Sequence, residues 1–491
     1  MKKRLLIISV SLGLIVSGYS QNLDDALRYS RNFCFGTARY NAMGGAFTSL
    51  GADLSAISLN PAGTGMFRSF EISFTPNLMY NNATTVFNST SSDDLKYHFG
   101  FNQVGVASTI ISSDKSSGLI NFNIAYSWNR TNNFNENITI KGISDNSSMA
   151  DYWANSSEGI FYKDLIGPAG IAYDAWVIDT ITGSGGKLYG TIFSSYGDSD
   201  PVYGQTIRRL IANEGYSGEH AISAGANFSE KFFIGFTFSI DQLNYTGHYE
   251  HLEADYDNVI PDFKSFTYTD HLEASGTGYT FKLGGIFKPV EMLRVGVAFH
   301  TPTVYRIKEY FYDEISSNFD NDDRYQNSNK PYRYSYTLTT PFRAMAGISY
   351  QIGKKGIISA DYEFTDYSMA RFSRASDDYN YYNENESIKN ALKTASNIKI
   401  GGEYRIESFY FRGGFGYYGS AYEKDEINKN LSYTSLSLGV GFRQQNFYFD
   451  LAFVNLSSNM KYLMYDDDPY LKEAKIKTDR NNFSATFGVK F

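Results

Sequence analysis

From Ser69 to the end of the chain, apolar and polar residues alternate in segments of about ten to twenty residues, as expected of strands with one oily and one polar face. In the last segment Phe483, Ala485, Phe487, Val489 and Phe491 share a face, and in Asn446 to Asn455 so do Phe447, Phe449, Leu451 and Phe453. Ile120, Phe122, Ile124, Tyr126 and Trp128 oppose Asn121, Asn123 and Ser127. About fourteen such segments occur, near 69–80, 97–111, 118–131, 219–229, 231–249, 275–288, 291–312, 331–350, 356–368, 395–406, 408–420, 431–443, 446–461 and 480–491. A soluble sandwich shares this period. Two features favour a closed membrane barrel instead. Short connections (Ser112–Ser117, Ser229-Glu230, Lys288-Pro289-Val290, Gly353-Lys354-Lys355, Ile406-Glu407, Gln444-Gln445) alternate with long polar ones at 81–96, 132–218, 250–274, 313–330, 369–394, 421–430 and 462–479. The chain also ends in Phe491 on the outward face of its last strand, the kind of terminus handed to the barrel-assembly machinery.

The pattern therefore predicts an all-β, transmembrane outer-membrane β-barrel of about 14 antiparallel strands over 69–491, with a long extracellular insert at 132–218 that carries Trp153 and Trp176. The segment before it is different. Residues 1–20 have a basic start (Lys2, Lys3, Arg4), an apolar run and small residues Gly18 and Ser20 ahead of Gln21, which predicts a signal peptide. Asn22 can cap a short helix whose first turn holds Asp24 and Asp25. Gly36 to Phe67 is rich in glycine and small apolar residues and has no strand or helix period. It is too apolar for a solvated linker, so 21–68 is expected to form an irregular plug packed inside the barrel. Asn60-Pro61 starts a turn within it.

Composition agrees. Aromatic residues make up 17% of the chain, with 41 Tyr and 38 Phe. The mean hydropathy is −0.35, and no apolar run of about 18 residues follows the leader. In a barrel only alternate residues need be apolar, so low average hydropathy is no obstacle. A net charge of −8 excludes a nucleic-acid footprint, and the single Cys34 excludes an internal disulfide and a cysteine-rich metal site.

The stretches Gly36-Thr37-Ala38-Arg39, Met43-Gly44-Gly45-Ala46-Phe47, Asp53-Leu54-Ser55-Ala56 and Asn60-Pro61-Ala62-Gly63 together resemble the plug of the FadL/TodX-type outer-membrane transporters of long-chain fatty acids and other hydrophobic compounds. Further along, Arg294 to Thr303, with its Thr301-Pro302 step, Thr340-Pro341-Phe342-Arg343, Asp361 to Ser368 and Asn397 to Arg405 follow in the order expected of that family. The resemblance implies passive uptake without a cofactor. A hydrophobic ligand is captured in an outer groove, enters a plug-gated pocket and leaves sideways into the membrane. It implies a monomer among outer-membrane lipids, with Phe35, Met43, Phe47, Asn60, Pro61, Ala62, Gly63 and Phe67 as ligand-binding or gating residues. The family's side exit lies at a kinked third strand. Leu119 to Thr131 holds no Gly or Pro, so the sequence predicts no kink there.

Strand parity turns Asp361, Glu363, Glu403, Arg405, Arg412, Arg443 and Asp450 toward the lumen. They read as a polar lining that anchors the plug, or more plainly as ion pairs of groups that cannot face lipid. Of the six histidines, His248, His251 and His271 are expected in solvated loops rather than on a metal or haem, because i and i+3 point to opposite faces of a strand. His300 is expected in the lumen. No nucleophile elbow, HExxH or phosphate loop is present, so no catalytic set emerges. Asp466-Asp467-Asp468 reads as a solvated acidic loop. Ile207, Leu210 and Ile211 stand at helical spacing, and Trp153, Ile160, Phe161, Leu165 and Ile166 form a second apolar group; both must pack over something. A haem receptor, a general porin and a structural barrel remain the alternatives to a hydrophobic-compound channel.

Overall fold

The strand alternation closes on itself. The computed structural model describes residues 22–33, 35–111, 118–465 and 472–491. The expected signal peptide, Cys34, the 112–117 connection and Asp466 to Asp468 lie outside the described residues. In chain order the barrel strands are β1 (Glu71–Phe87), β2 (Thr90–Ile111), β3 (Leu119–Asn133), β4 (Thr206–Phe228), β5 (Phe232–Ala254), β6 (Phe263–Val290), β7 (Leu293–His300 and Val304–Phe319), β8 (Tyr332–Thr339 and Arg343–Ile352), β9 (Gly356–Asp366, continued by Arg371–Ser373), β10 (Thr394–Ile406), β11 (Phe409–Tyr418), β12 (Tyr433–Gln444), β13 (Phe447–Tyr462) and β14 (Ala474–Lys490). Each pairs antiparallel with its neighbours, and β14 returns to β1 from Glu71↔Lys490 to Val86↔Lys475. All fourteen expected strands are present and the barrel has no open edge.

The physical basis is the period-2 burial. Along β1 and β14, buried and exposed residues alternate. Outward positions are Ile, Leu, Val, Phe and Tyr, as at Leu78, Phe281, Leu283, Val297, Leu436 and Phe487. Inward positions include Asn77, Asn121, Asn123, Ser437, Asp450 and Thr486. Two strands break at prolines, as expected of a residue with no N–H for the ladder. β7 breaks at Thr301-Pro302-Thr303 and β8 at Thr340-Pro341-Phe342. The breaks sit side by side, because Thr340 N donates to Thr303 O (2.9 Å) and Thr303 N to Thr340 Oγ1 (3.0 Å).

Several expected connections are shorter than the sequence suggested. β1 and β2 continue through 81–96 to a tight turn in which Asn88 and Ser89 both take positive φ (43° and 67°), the conformation that suits a twisted hairpin. Above the membrane both faces of a strand are wet, so the apolar alternation that marks a strand disappears although the strand persists. The same holds at 250–274, where β5 runs to Ala254 and β6 starts at Phe263. Within the insert, Ile207, Leu210 and Ile211 are not helical but lie on β4, paired with residues Glu136–Ile143. A spacing of four fits a strand face as well as a helix, so Ile207 and Ile211 are buried together. Residues 144–205 form a cap with α4 (Met149–Ser156) and α5 (Gly167–Asp174). Trp153, Ile171, Phe193, Phe263, Phe266, Ile207 and Ile211 share its core, while Ile166 and Trp176 stay exposed. His251 is not solvated as expected; it is buried with Nε2 3.0 Å from Glu253 Oε1.

The lumen is filled by residues 22–33 and 35–68. α1 (Leu23–Ser30) is capped by Asn22, whose Oδ1 accepts from Asp25 N (3.0 Å), and packs among Tyr245, Tyr305, Tyr334 and Tyr336. The chain then passes α2 (Ala38–Ala42), α3 (Ala56–Leu59) and a 3-10 turn over Pro61–Met66.

Candidate functional site: the plug, its cavity and the side wall

The motif pieces of the plug clip to one another. Thr37 Oγ1 donates to the Asp53 carboxylate (2.9 Å), Thr37 N donates to Ser55 Oγ (2.7 Å), and Thr37 caps α2 by accepting from Tyr40 N (3.1 Å). Backbone left without a helix or strand is therefore satisfied by neighbouring side chains, as irregular structure at membrane depth requires. Met43 and Phe47 are fully buried with Tyr40, Leu50 and Leu59, and Phe67 packs with Leu54 and Ile57. Asn121 and Asn123 of β3 donate to Phe67 O (3.2 and 2.9 Å), tying the end of the plug to the wall.

The Asn60-Pro61 turn lies directly on the barrel wall. Asn60 Oδ1 accepts from Ala62 N (3.0 Å), and Nδ2 donates to Thr48 O (2.6 Å) and Gly285 O (3.3 Å). Pro61, Ala62 and Gly63 are buried behind it. The wall makes room with glycine: a Cβ on Gly284 would stand 1.9 Å from Asn60 Oδ1, and one on Gly235 would stand 2.1 Å from Pro61 O. These two positions were not picked out from the sequence. The available signal was glycine at inward parity on adjacent strands.

The lumen charges anchor the plug. Arg39 reaches Glu403 (3.1 Å), which also accepts from Arg412 (2.6 Å), and Arg412 continues to Asp450 (2.6 Å). Glu363 holds Arg343 (2.9 Å) and Lys399 (3.1 Å). Asp361 accepts from Thr48 N (2.8 Å). Arg443 stands at the edge, 3.9 Å from Asp450. Arg405 departs from the expected network. It lies at the open end of β10, exposed, and donates to Glu407 O (2.8 Å), because inward parity near the barrel rim faces water. Sequence reading missed the buried Glu219–Lys282 pair, whose Lys282 Nζ also donates to Ser58 O (3.0 Å); His300 lies in the lumen as expected, 2.9 Å from Leu59 O.

Between plug and wall is a cavity of about 70 Å³ lined by Phe33, Phe35, Tyr40, Leu59, Asn129, Arg130, Glu219, Lys282, His300 and both Thr-Pro breaks. Phe35 also borders a second space of about 20 Å³ with Met79, Tyr418 and Leu456. Arg130 is 4% exposed and lies over the Tyr216 ring (5.6 Å); its Nε and Nη1 have no hydrogen-bond partner among the described residues.

Beside this cavity the wall changes. The β2–β3 ladder runs from Ile111↔Asn121 to Gln103↔Asn129 and stops, while β2 continues upward paired only with β1. β3 leaves register with β4 between Arg130 and Asn132. The third strand is thus irregular despite lacking Gly and Pro: a bulge, which any residue type can form, does the work. Above the break the wall is closed by side chains. Phe101 packs on Trp128 (4.5 Å), Thr139 N and Oγ1 donate to Asp94 (2.6 and 2.9 Å), and Lys96 pairs with Glu214 (2.6 Å).

No family model matches the sequence, and no curated protein is significantly similar to it. Solved structures do match the fold. A FadL homologue of Pseudomonas aeruginosa superimposes with a TM-score of 0.57 at 11% identity, covering 94% of this chain and 100% of that one. The toluene transporter TodX of P. putida gives 0.52 at 11% identity over 93% and 98%. The monoaromatic hydrocarbon channel CymD gives 0.51 at 10% identity over 94% and 99%. The fold of this chain is thus similar to that of the FadL- and TodX-type β-barrels.

Proposed function

We propose that this protein is a passive outer-membrane channel for hydrophobic small molecules, which pass a plug-lined cavity and leave through the β2–β3 wall into the membrane. The observation that carries the reading is the shared position of two features. Asn129 ends the β2–β3 ladder and, with Arg130, lines the plug cavity. A seam closed by side chains opens at the cost of a few contacts, whereas a strand ladder does not. The outer cap supplies exposed apolar groups such as Ile166 and Trp176 for capture. Arg130, whose Nε and Nη1 have no hydrogen-bond partner among the described residues, favours a ligand with an acidic head, such as a long-chain fatty acid, because a buried cation is stabilised by an opposite charge. Phe35, Met43, Phe47, Phe67 and the Asn60–Gly63 turn are proposed to shape or gate the pocket, and Phe491 to present the last strand for assembly.

Uptake of a labelled long-chain fatty acid, a monoaromatic hydrocarbon and a small sugar, compared between cells with and without the protein, tests this reading. The fatty acid, or the hydrocarbon, should enter at least several-fold more slowly without it, and the sugar at an unchanged rate. A general porin would instead show the sugar rate falling as well.

A further inference from the structure

The membrane-facing surface of β6, β7 and β8 changes character abruptly. Going up β6, Leu283, Phe281 and Tyr279 are half exposed and apolar, and on β7 so are Val297, Phe299 and Val304. The next outward positions on β7 are Arg306 and Lys308, separated by buried Ile307, and Arg333 stands on β8 opposite Tyr310. All three cations are exposed, and none forms an ion pair among the described residues. Arg333 lies over the Tyr310 ring at 5.2 Å. With about 3.3 Å per residue along a strand and about 4.8 Å between strands, the Lys308 position stands about 7 Å from Arg306 and about 8 Å from Arg333, and the outer two lie about 14 Å apart. Lys308 and Arg333 line a surface groove of about 560 Å³. Two carboxylates also line the groove: Glu273, held by His271 at 3.0 Å, and Glu309, which is buried and accepts from Tyr336 OH (2.6 Å).

We propose that Arg306, Lys308 and Arg333 bind the phosphorylated sugar headgroup of an outer-leaflet glycolipid, with its acyl chains lying along the apolar belt below. Arg306 sits one outward step above the Val304–Tyr279 pair, Lys308 two and Arg333, opposite Tyr310, three, so the cations climb from the end of the hydrocarbon into the headgroup layer. Guanidinium and ammonium groups left without protein carboxylates complement phosphate in charge and geometry. A lipid is held permanently at this depth, whereas a soluble anion is not. The groove admits a headgroup rather than a lone ion.

The test uses the full chain purified in mild detergent and native mass spectrometry with added diphosphoryl lipid A, the same glycolipid stripped of its phosphates, and inorganic pyrophosphate. Wild type should retain one diphosphoryl lipid A molecule that the variant R306S/K308S/R333S binds at least tenfold more weakly. The phosphate-free lipid should bind wild type no better than the lipid binds the variant, and pyrophosphate at equal concentration should not displace it. Equal occupancy in wild type and variant, or equal binding of both lipids, overturns the proposal; complete displacement by pyrophosphate overturns the lipid as occupant. Heat-modifiable gel migration checks assembly. If the triple variant does not assemble, K308S alone should weaken binding about threefold. R208S, whose guanidinium is held by Glu250 (2.5 Å), should leave binding unchanged, and the reverse ranking overturns the site.

Discussion

At the scale of single residues, the plug is held by a few groups whose loss has separable consequences. Asn60 makes three hydrogen bonds that shape the Pro61 turn against Gly284 and Gly235. Replacing Asn60 and Pro61 together with alanine leaves Thr48 O and Ala62 N without these partners, at about 1–3 kcal/mol for each buried group. The strand ladder does not depend on them, so the barrel should assemble as before. Hydrophobic uptake should change several-fold, or planar-bilayer conductance should rise. Wild-type values for both, in a correctly assembled protein, would reduce the turn to a structural role. Arg412 is a second such group. It joins Glu403 on β10 to Asp450 on β13, and all three side chains are buried. Arg412→Ala strands two carboxylates, and breaking a buried pair costs about 3–5 kcal/mol. Arg39 and Arg443 remain near them, so the loss should fall at the lower end. A guanidinium midpoint unchanged from wild type would show that the network contributes little.

At the scale of elements, the cap over 144–205 carries its own pH response. Asp151 lies in the first turn of α4, where its carboxylate accepts from Ser148 N (2.8 Å) and Tyr203 OH (2.9 Å). Burial pushes its pKa up from 3.8 to about 6 despite these bonds. The folded cap therefore binds this proton more tightly than the unfolded chain, and its stability falls as pH rises from about 4 to about 6. The change is on the order of 1–3 kcal/mol. Proteolytic cleavage within 149–156 should be slower at pH 4.5 than at pH 7 after correction for protease activity, and D151N should remove most of that difference. A difference of the same size in D151N would assign the effect to other groups. β3 shows how an element can be irregular without a sequence mark. Its bulge at Arg130 to Asn132 breaks pairing with neither glycine nor proline, so breaker residues gave no warning. At the two Thr-Pro steps the mark was visible, and the breaks fall there.

At the scale of the whole molecule, the proposed channel behaviour rests on a filled lumen and on the end of the β2–β3 ladder beside the cavity. The uptake comparison and the glycolipid test act at this scale, one on what crosses the barrel and one on what surrounds it. Neither outcome determines the other, because the cationic groove on β5 to β8 and the β2–β3 seam share no residue.

The sequence alone determined the strand number, the inward or outward direction of most side chains, the plug and the Asn60-Pro61 turn. These follow from local chemistry: strand period, turn residues and the exclusion of charge from lipid are legible within about ten residues. Only the tertiary structure decided which inward charges meet. Arg412 pairs with Asp450, 38 residues away, while Arg405, alike in parity, faces water at the rim. It alone placed Glu219 beside Lys282 and buried His251, and it set where the β2–β3 ladder ends. Such properties depend on barrel closure, which brings distant strands to one depth and fixes how far each extends above the membrane. No local pattern encodes that depth, so the cavity, the seam and the cationic groove became visible only once the barrel was closed.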